Sequence, residues 1–375
     1  MFLRQIQLFS FRNYLEQKIK FDSYQTILLG NNAQGKTNLL EAVELISTLK
    51  SQRSQKDQEL ILKGQNESHI LATLERSYGV AEIAITLRAS GRRSLMLNHE
   101  HLRRHLDILG VLNTVQFSSL DLDLVRGAPE VRRHWIDSLL IQLEPVYAYI
   151  LHKYTQILRQ RNALLKILYK QNTQPQVRET TELAIWNEQL ATFGSRVMRR
   201  RARVISRLAP IAQNWHKQIS GNTELLEINY TPNISYNRDE TDHVQQAFLA
   251  SIEERSAVEQ QLGTTVVGPH RDELELLINT TPAKSYGSQG QQRTLVLSLK
   301  LAELELIEQV IGEAPVLLLD DVLAELDLQR QNQLLEAIAQ RCQTLITTTH
   351  LNAFDQQWLK ASQILSVQAG NISLL

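Results

Sequence analysis

The segment Gly30–Thr37, with the sequence Gly-Asn-Asn-Ala-Gln-Gly-Lys-Thr, most constrains what this chain can fold into. It matches the phosphate-loop pattern G-x-x-x-x-G-K-[ST] without deviation. Tyr24–Leu29 before it is typical of a buried strand, and Asn38–Ile46 after it has helical spacing. Strand, glycine loop and helix in this order predict an α/β core that binds a nucleotide. An ordinary glycine turn is the alternative.

Each part of the loop has a chemical reason. Glycines let backbone N–H groups point at phosphate oxygens, and the positive N-terminal end of the next helix faces the same anion. Lys36 adds a point charge near the β- and γ-phosphates, and Thr37 offers a hydroxyl ligand to Mg²⁺. The residues predicted to bind the nucleotide here are Gly30, Asn31, Asn32, Ala33, Gln34, Gly35, Lys36 and Thr37.

A second predicted strand ends in two adjacent carboxylates. Val316–Leu319 is an apolar run followed by Asp320 and Asp321, as expected for a strand buried on both faces. In a P-loop protein one such acid holds Mg²⁺, usually through water, and a second polarises the attacking water. Asp320 is therefore the predicted Mg²⁺ residue and Asp321 the predicted general base. The alternative is that the pair only caps the next helix.

A polar, glycine-bearing turn opens another predicted helix. Ser288, Gln289 and Gly290 precede it, which makes a second helix terminus suited to an anion. A helix cap without further function is the alternative. The turn resembles the signature of ABC-type ATPases, in which the signature of one subunit contacts the γ-phosphate on the P-loop of the other. On that resemblance Ser288, Gln289 and Gly290 act on the partner's nucleotide, and Val322–Asp327 is similar to the D-loop.

Two further positions are candidates because of their order in the chain. The strand-like run after Cys342 ends in Thr349 and His350, and one of these resembles the switch residue that senses the γ-phosphate. A surface histidine is the competing interpretation. Gln116 follows an apolar run and is the candidate Q-loop glutamine that reaches Mg²⁺.

The middle of the chain differs from its two ends. From about residue 121 to 261 glycine is rare, and Tyr147–Tyr169 and Leu183–Ser220 are typical of long amphipathic helices. Short strands and glycines return afterwards. We therefore expect an α/β fold with an ABC-type, SMC-like head core built from residues 1–120 and 263–375. A mostly helical lobe, residues 121–262, is inserted into that core.

Charge and composition exclude several classes of protein. The 375 residues carry 40 Lys+Arg and 40 Asp+Glu, so a globally basic DNA-coating protein is excluded and any DNA contact must use local charge. No apolar stretch approaches the roughly 20 residues that span a bilayer, and the N-terminus lacks a secretory h-region. The single cysteine, Cys342, favours a reducing, intracellular compartment.

Five stretches of the sequence resemble the RecF family of SMC-like ABC-type ATPases, and the resemblance extends over essentially the whole chain. They are Phe11–Tyr14, Gly30–Glu41, Leu124–Asp137, Gly268–Asp272 and Leu318–Asp327. The first two imply that Arg12 and Asn38 also contact the nucleotide. The family match implies ATP and Mg²⁺ as cofactors.

The resemblance implies a DNA-repair function. RecF-like proteins bind and slowly hydrolyse ATP, form a dimer around it and bind double-stranded or gapped DNA. With RecR and RecO they help load RecA on gaps coated by single-strand-binding protein, and they serve replication and the SOS response. A cytoplasmic, nucleoid-associated protein with a DNA-stimulated ATPase switch is expected. The alternative, an ATPase subunit of an ABC transporter, fits poorly with the long insertion and with Phe11–Tyr14.

Two arginine clusters are the predicted DNA contacts. A few cations suffice for salt-sensitive binding that is independent of DNA sequence. The alternative is a solvated face, or arginines paired with acidic residues of neighbouring helices. The predicted contacts are Arg199, Arg200, Arg201 and Arg203 in the helical lobe, and Arg88, Arg92 and Arg93 in the core.

Overall fold

The computed structural model describes residues 1–54, 56–171, 177–339, 341–352 and 354–375. Within these ranges the chain divides into two compact units. Unit 1 comprises Met1–Leu122, Ile211–Glu224 and Ser288–Leu375, and unit 2 comprises Asp123–Pro210 and Leu225–Gly287.

The two long helices predicted in the middle of the chain are confirmed as α4 and α5. The helices are α1 (Lys36–Thr48), α2 (Asp123–Arg126), α3 (Pro129–Leu143), α4 (Pro145–Gln171), α5 (Val177–Ile219), α6 (Thr241–Leu262), α7 (Ala283–Tyr286), α8 (Gln289–Ile311), α9 (Leu328–Ile338) and α10 (Gln356–Ala361). None of the helices within the described ranges is long and apolar enough to cross a membrane.

Over the residues that the structure describes, the strands form three sheets. They are β1 (Phe2–Phe11), β2 (Tyr14–Lys20), β3 (Gln25–Leu29), β4 (Glu67–Arg76), β5 (Gly79–Arg88), β6 (Arg93–Leu97), β7 (Glu100–His101), β8 (Thr114–Ser118), β9 (Leu226–Thr231), β10 (Glu273–Ile278), β11 (Thr281–Pro282), β12 (Val316–Asp320), β13 (Thr344–Thr348), β14 (Ser362–Gln368) and β15 (Asn371–Leu374). The strand orders are β2-β1-β4-β5-β6-β7, β15-β14-β3-β13-β12-β8 and β11-β10-β9.

The division of the chain differs from the predicted lobes in two places. Residues 211–224 belong to unit 1, and the boundary falls at Pro210, whose missing N–H interrupts the hydrogen bonds of α5. Trp215 follows this boundary and donates to Glu305 Oε2 of α8 at 2.9 Å. Residues 263–287, predicted to belong to the core, lie in unit 2 because β10 pairs with β9.

The sheet containing β3 positions the nucleotide loop. Its strands β14, β3, β13, β12 and β8 are parallel to one another, and β15 is antiparallel. Parallel strands all end at the same sheet edge, so the loop after β3 meets the carboxylates after β12 there. Helix α1 packs against β8, β12 and β13. The central strands β3, β13 and β12 are buried along almost their whole length, as expected when both faces of a sheet are covered.

The second six-stranded sheet is antiparallel and shares a core with α1. Strand β4 alternates buried and exposed residues, as expected when one face is packed and the other solvated. Its buried residues Ile70 and Leu74 join one hydrophobic cluster with Leu39 and Val43 of α1. The helix after the nucleotide loop is thus held by apolar packing as well as by its connection to β3.

Unit 2 contains a buried ionic cluster centred on Arg201, which is only 3% exposed. Its Nε and Nη2 donate to Asp137 Oδ1 and Oδ2, both at 2.9 Å, and its Nη1 donates to Pro269 O at 2.6 Å. Asp272 Oδ2 lies 3.3 Å from Nη1. The structure contradicts the prediction that Arg201 contacts DNA, because its guanidinium is buried and paired with the carboxylates of Asp137 and Asp272 instead.

Arg201→Met is expected to destabilise unit 2 strongly. The substitution keeps much of the side-chain volume but leaves Asp137 and Asp272 without their cation, which costs about 3–5 kcal/mol of unfolding free energy. Urea unfolding followed by circular dichroism measures the loss. Arg207→Met, at an exposed position of the same helix, is the control and should cost less than about 0.5 kcal/mol. A loss below about 1 kcal/mol for Arg201→Met would contradict the assignment.

Candidate nucleotide-binding site

Two glycines of the loop are required by their surroundings. Gly35 immediately precedes α1 with φ of 121°, a conformation that side chains rarely adopt, and a Cβ there would lie 2.7 Å from Asn13 Nδ2. A Cβ on Gly30 would collide with the carbonyl oxygen of Val367. At Gly30 and Gly35 the loop backbone therefore lies so close to Val367 and Asn13 that a residue with a Cβ would not fit.

The chain holds the loop in shape through Asn13 and Tyr14. Asn13 Nδ2 donates to Gln34 O at 2.9 Å, and Asn13 Oδ1 accepts from Asn38 Nδ2 at 2.8 Å. Tyr14 Oη donates to Gly35 O at 2.8 Å. Burial raises the pKa of Tyr14, so its hydroxyl remains protonated and keeps donating. The loop is thus organised by hydrogen bonds from the first hairpin.

Lys36 lies inside the curve of the loop. It is 4% exposed, and its Nζ donates to Gly30 O at 2.7 Å and to Asn31 O at 3.1 Å. Asn31 and Ala33 are exposed at the rim of the loop. A buried ammonium next to backbone groups at a helix N-terminus is suited to a phosphate, which would replace the carbonyl oxygens as its partner.

The loop and the second strand meet at Thr37 and Asp320. Thr37 Oγ1 donates to Asp320 Oδ1 at 2.8 Å, and Thr347 Oγ1 donates to the same oxygen at 2.9 Å. Burial raises the pKa of Asp320, although the two hydroxyl donors oppose this effect. A hydroxyl and a carboxylate are hard oxygen ligands of the kind that Mg²⁺ prefers.

These donors fit the predicted Mg²⁺ ion. Within the described ranges no group of three or more His, Cys, Asp or Glu residues could hold a metal by itself. Mg²⁺ usually takes only one or two protein ligands and completes its shell with water and phosphate oxygens. Thr37 and Asp320 are the residues that would hold the ion, which would neutralise phosphate charge.

Asp321 lies directly after β12 in a left-handed backbone conformation. Its φ is 53°, which is uncommon for a residue with a side chain and is often found at functional sites. Its backbone N–H donates to Thr347 Oγ1 at 2.8 Å. The turn fixes the residue next to Asp320, and its role as the general base stays a prediction.

The predicted signature is the beginning of α8. Ser288 Oγ accepts from the N–H of Gln291 at 3.2 Å, and Gln291 Oε1 accepts from the N–H of Ser288 at 2.8 Å, which makes a capping box. Ser288 and Gln289 are exposed, and Gly290 is half-buried. Ser288 therefore caps the helix, and the helix N-terminus at this position remains accessible. The role of Ser288, Gln289 and Gly290 at a partner's nucleotide stays a prediction.

The switch candidates follow β13. Thr348 Oγ1 donates to His350 O at 2.8 Å, and Thr349 is half-buried while His350 is exposed. The register pairs Thr348 with Leu29, immediately before the nucleotide loop. Both candidates therefore lie at the edge of the sheet that carries the loop.

The contacts of Gln116 do not place it at the carboxylates, and its contact with Mg²⁺ stays a prediction. Gln116 pairs with Leu318, two residues before Asp320, and Ser118 is the β8 residue level with Asp320. One terminal atom of the Gln116 amide lies 2.9 and 3.0 Å from Glu44 Oε2 and Oε1, so the amide and this carboxyl group are hydrogen-bond partners. Glu44 lies about two helical turns beyond the first turn of α1, roughly 10 Å along the axis. The amide therefore serves a buried carboxyl group.

Arg12 is occupied by a carboxylate of α1. Its Nε donates to Glu41 Oε2 at 2.8 Å and its Nη2 to Glu41 Oε1 at 2.6 Å. Its Nη1 donates to Glu59 O at 2.8 Å. Arg12 thus ties the first hairpin to the second turn of the P-loop helix, and its contact with a nucleotide stays a prediction.

The arginines predicted on α5 are paired with acids. Arg199 Nε lies 2.5 Å from Asp239 Oδ1, Arg203 Nε lies 2.6 Å from Asp239 Oδ2, and Arg200 Nε lies 3.0 Å from Glu144 Oε2. Arg203 remains more than half exposed, whereas Arg199 is mostly covered. The salt-bridge interpretation therefore describes these contacts.

The second arginine cluster is less uniform. Arg93 Nη2 lies 2.5 Å from Asp57 Oδ1 and its side chain is mostly covered. Arg88 Nε lies 3.6 Å from Glu67 Oε2 and remains nearly half exposed, and Arg92 is exposed. Of the predicted DNA contacts, Arg88, Arg92 and Arg203 are the most accessible.

Sequence reasoning missed three residues of the site. Asn13 clamps the loop, and Thr347 joins Asp320 to the N–H of Asp321. Arg53 Nη1 donates to Asn38 Oδ1 at 3.1 Å, and its charge lowers the pKa of Asp320 against the larger effect of burial. Thr347 could have been found from the sequence, because a threonine near the end of a predicted buried strand can hydrogen-bond a carboxylate that ends the neighbouring strand. The location of Arg53 depends on the path of the chain after α1.

The comparisons with known proteins agree with this geometry. A family model described as "RecF/RecN/SMC N terminal domain" matches residues 2–373. The "DNA replication and repair protein RecF" of Rippkaea orientalis is 65% identical, with 99% of this chain and 99% of that protein covered. The protein with the same description from Gloeothece citriformis is 64% identical, again with 99% of each covered.

Solved structures show the same fold. One described as "the recombination mediator protein RecF-ATPrS in RecFOR pathway" has a TM-score of 0.91 and 30% identity, covering 100% of this chain and 98% of the other. An Smc head domain of Pyrococcus furiosus has a TM-score of 0.55 and 14% identity, covering 100% and 96%. The fold and the site define an SMC-like head of the ABC-type ATPase class. Within that class, the chain belongs to the RecF family.

Asp320→Asn is expected to keep or raise the stability of the ligand-free protein. Because its pKa is raised in the fold, the ionised Asp320 destabilises the folded chain at neutral pH. Asparagine keeps an acceptor oxygen for Thr37 and Thr347. Differential scanning fluorimetry at pH 7.5 should give an equal or higher melting temperature, without the increase that Mg²⁺ and a nucleoside triphosphate together produce in the wild type.

Glu16→Gln, on an exposed position of β2, is the control for this charge removal and should behave as the wild type in both measurements. A melting temperature several degrees lower for Asp320→Asn, or an undiminished response to Mg²⁺ and nucleotide, would contradict the assignment of Asp320.

Glu44 makes stability depend on pH. Burial, together with the charges of Glu41 and Asp121, raises its pKa to about 8, although a hydrogen bond with Gln52 and the charge of Lys300 oppose this. The folded chain therefore binds this proton more tightly than the unfolded chain. The resulting stabilisation is complete below the unfolded pKa and is lost as pH rises through about 8.

Glu44→Gln should remove that pH dependence. Between pH 6 and pH 9 the wild type is expected to lose roughly 2–3 kcal/mol of unfolding free energy relative to the variant. Urea unfolding at both pH values checks this, with Glu16→Gln as the control. Parallel pH profiles for wild type and Glu44→Gln would show that Glu44 does not titrate in this range.

Proposed function

We propose that this chain is an ATP-dependent DNA-binding protein of replication and recombinational repair, in which ATP acts as a switch. Two copies close around Mg²⁺-ATP, with the nucleotide loop of one copy facing Ser288 of the other, and the closed pair binds double-stranded or gapped DNA. Slow, DNA-stimulated hydrolysis through Asp321 reopens the pair. With RecR and RecO, the protein helps RecA to load on gaps coated by single-strand-binding protein, in the cytoplasm and during the SOS response.

The hydrogen bond between Thr37 and Asp320 is the observation that carries this proposal. It places the hydroxyl after the P-loop lysine and the carboxylate of the second strand on the same side of the loop, where one Mg²⁺ ion would contact both. Solved RecF structures described as bound to ATP and to "ATPrS" cover the whole of this chain, which supports ATP as the nucleotide.

Two copies enter the proposal because the chain carries a second accessible helix N-terminus, at Ser288–Gly290, besides the one that follows the nucleotide loop. The ABC-type arrangement brings these parts together between copies. The transporter hypothesis is less well supported, because the relatives that cover the chain are RecF proteins.

Exposure decides which arginines the proposal assigns to DNA. Three arginines are accessible: Arg88, Arg92 and Arg203. Exchanging their water or surface-carboxylate partners for a phosphate would cost little free energy, because exposed ion pairs contribute at most about 1 kcal/mol. Arg93 and Arg199 are mostly covered by their carboxylate partners. The favoured contacts are therefore the accessible three.

Nucleotide-dependent dimerisation and ATPase activity test this function. With ATP, Asp321→Asn should accumulate as a dimer in light scattering and hydrolyse ATP at least about tenfold more slowly than wild type, because the attacking water lacks its base. Lys36→Ala should stay monomeric and bind ATP weakly. Duplex DNA should raise the wild-type ATPase rate. A wild type that remains monomeric with ATP and ignores DNA would overturn the proposal.

Salt titration tests the DNA contacts. Arg88→Ala with Arg92→Ala should weaken binding to duplex DNA uniformly across sequences and reduce the slope of log K against log salt by about 0.9 for each phosphate that the variant no longer neutralises. Fluorescence anisotropy of labelled duplex in the presence of an ATP analogue measures both. The control pair, Arg159→Ala with Arg255→Ala, removes the same charge from exposed helix positions and should change little. Equal effects of the two pairs would reject the assignment.

A further inference from the structure

Arg330, on α9, connects two parts of the candidate site that are far apart in the sequence. Its backbone N–H donates to Asp327 Oδ1 at 3.0 Å, so Asp327 caps α9, and its Nη1 pairs with Asp327 Oδ2. Asp327 ends the turn that begins at the carboxylates Asp320 and Asp321. The arginine is therefore tied to the segment that follows the Mg²⁺ carboxylate.

The same side chain reaches the beginning of α8. Its Nε donates to Thr294 Oγ1 at 2.8 Å, and Thr294 is buried in the second turn of that helix. Its Nη2 would lie 3.5 Å from a Cβ placed on Gly290, in the first turn. The guanidinium thus lies over the first two turns of the helix that Ser288 caps.

The energetics of these contacts favour a positioning role over a stabilising one. The Arg330 and Asp327 side chains are 27% and 50% exposed, and ion pairs at such exposure contribute at most about 1 kcal/mol to stability. A planar guanidinium with two fixed partners nevertheless restricts orientation strongly, because it holds both at defined angles. Removing the Arg330 guanidinium would therefore loosen the orientation of α8 relative to Asp327, while the free energy of unfolding would change by at most about 1 kcal/mol.

We propose that Arg330 is a positioning residue that couples the signature turn to the carboxylates of the hydrolytic site. By binding Asp327 and Thr294 together, it fixes the beginning of α8 relative to the turn after Asp321. When the nucleotide bound by the partner copy contacts Ser288, the beginning of α8 is therefore already aligned with Asp320 and Asp321 of the same chain as Ser288. This inference rests on the proposed two-copy function.

The test separates dimer formation from nucleotide binding. Arg330→Met is expected to leave the Kd of the dilute monomer for a fluorescent ATP analogue unchanged, since Lys36 and Thr37 are untouched. The protein concentration needed for half-maximal ATP-dependent dimerisation should rise roughly tenfold. The ATPase rate, at a protein concentration where the wild type is half dimeric, should fall by several-fold. Arg330→Lys, which keeps the charge but not both contacts, should restore only part of the loss.

Arg341→Met is the matched control. Arg341 makes an arginine–carboxylate contact with the other end of α8, where its Nη2 lies 2.7 Å from Glu308 Oε2. This variant should dimerise and hydrolyse ATP as the wild type does. The positioning role would be overturned if both variants lost dimerisation and ATPase activity equally. It would also be overturned if Arg330→Met dimerised as readily as the wild type.

Hydrogen exchange without nucleotide keeps this inference distinct from the proposed function. In the ligand-free monomer, Arg330→Met should increase amide exchange at Gln291–Thr294, and Arg341→Met should not. If the wild type failed to dimerise with ATP, the proposed two-copy function would be wrong. The exchange result would still show whether Arg330 fixes the beginning of α8 through Asp327 and Thr294. Unchanged amide exchange at Gln291–Thr294 in Arg330→Met would show that Arg330 does not fix the beginning of α8.

Discussion

The hydrogen bond between Thr37 and Asp320 joins residues 283 positions apart, and the organisation of the site depends on it. It exists because β3, β13 and β12 run parallel in adjacent positions, so that the loop after one strand lies beside the carboxylate that ends another. Thr347, on the strand between them, donates to the same oxygen and also accepts the N–H of Asp321. One threonine therefore aligns both acids with the loop.

The surroundings of the loop show how a short motif is made rigid. The first hairpin provides Asn13 and Tyr14, whose side chains bond the loop backbone, and Arg12, which holds Glu41 of α1. Gly35 permits this close approach because a Cβ would meet Asn13. A loop held in advance binds phosphate with less loss of conformational entropy on binding. The resemblance of Phe11–Tyr14 to the family motif thus has a physical basis in this clamp.

Sequence patterns predicted the local parts of this structure well. The loop, the apolar strand before Asp320 and the two long helices each follow from residues close together in the chain. The parallel order of the strands could not be read from the sequence, because register depends on contacts between distant segments. Gln116 shows the consequence: the sequence shows that it follows an apolar run, but not that it pairs with Leu318, two residues before Asp320.

The arginines show a second limit of sequence reasoning. Arg199, Arg200, Arg201 and Arg203 look alike along a helix, yet the fold buries Arg201 between Asp137 and Asp272 and leaves Arg203 accessible. Their acidic partners lie at least 36 residues away, so local charge counting cannot find them. The placement of residues 263–287 differs from the predicted lobes for the same reason, since β10 joins β9 through strand pairing between distant segments.

Subunit complementation tests the central claim most directly, namely that one nucleotide is held by the loop of one copy and by Ser288 of another. Lys36→Ala and Ser288→Arg proteins should each hydrolyse ATP poorly alone. Mixed in equal amounts, they form pairs in which one site combines an intact Lys36 with an intact Ser288. We expect the mixture to recover ATPase activity and ATP-dependent association in light scattering. A mixture no more active than its separate components, at concentrations where the wild type is a dimer, would contradict the shared site.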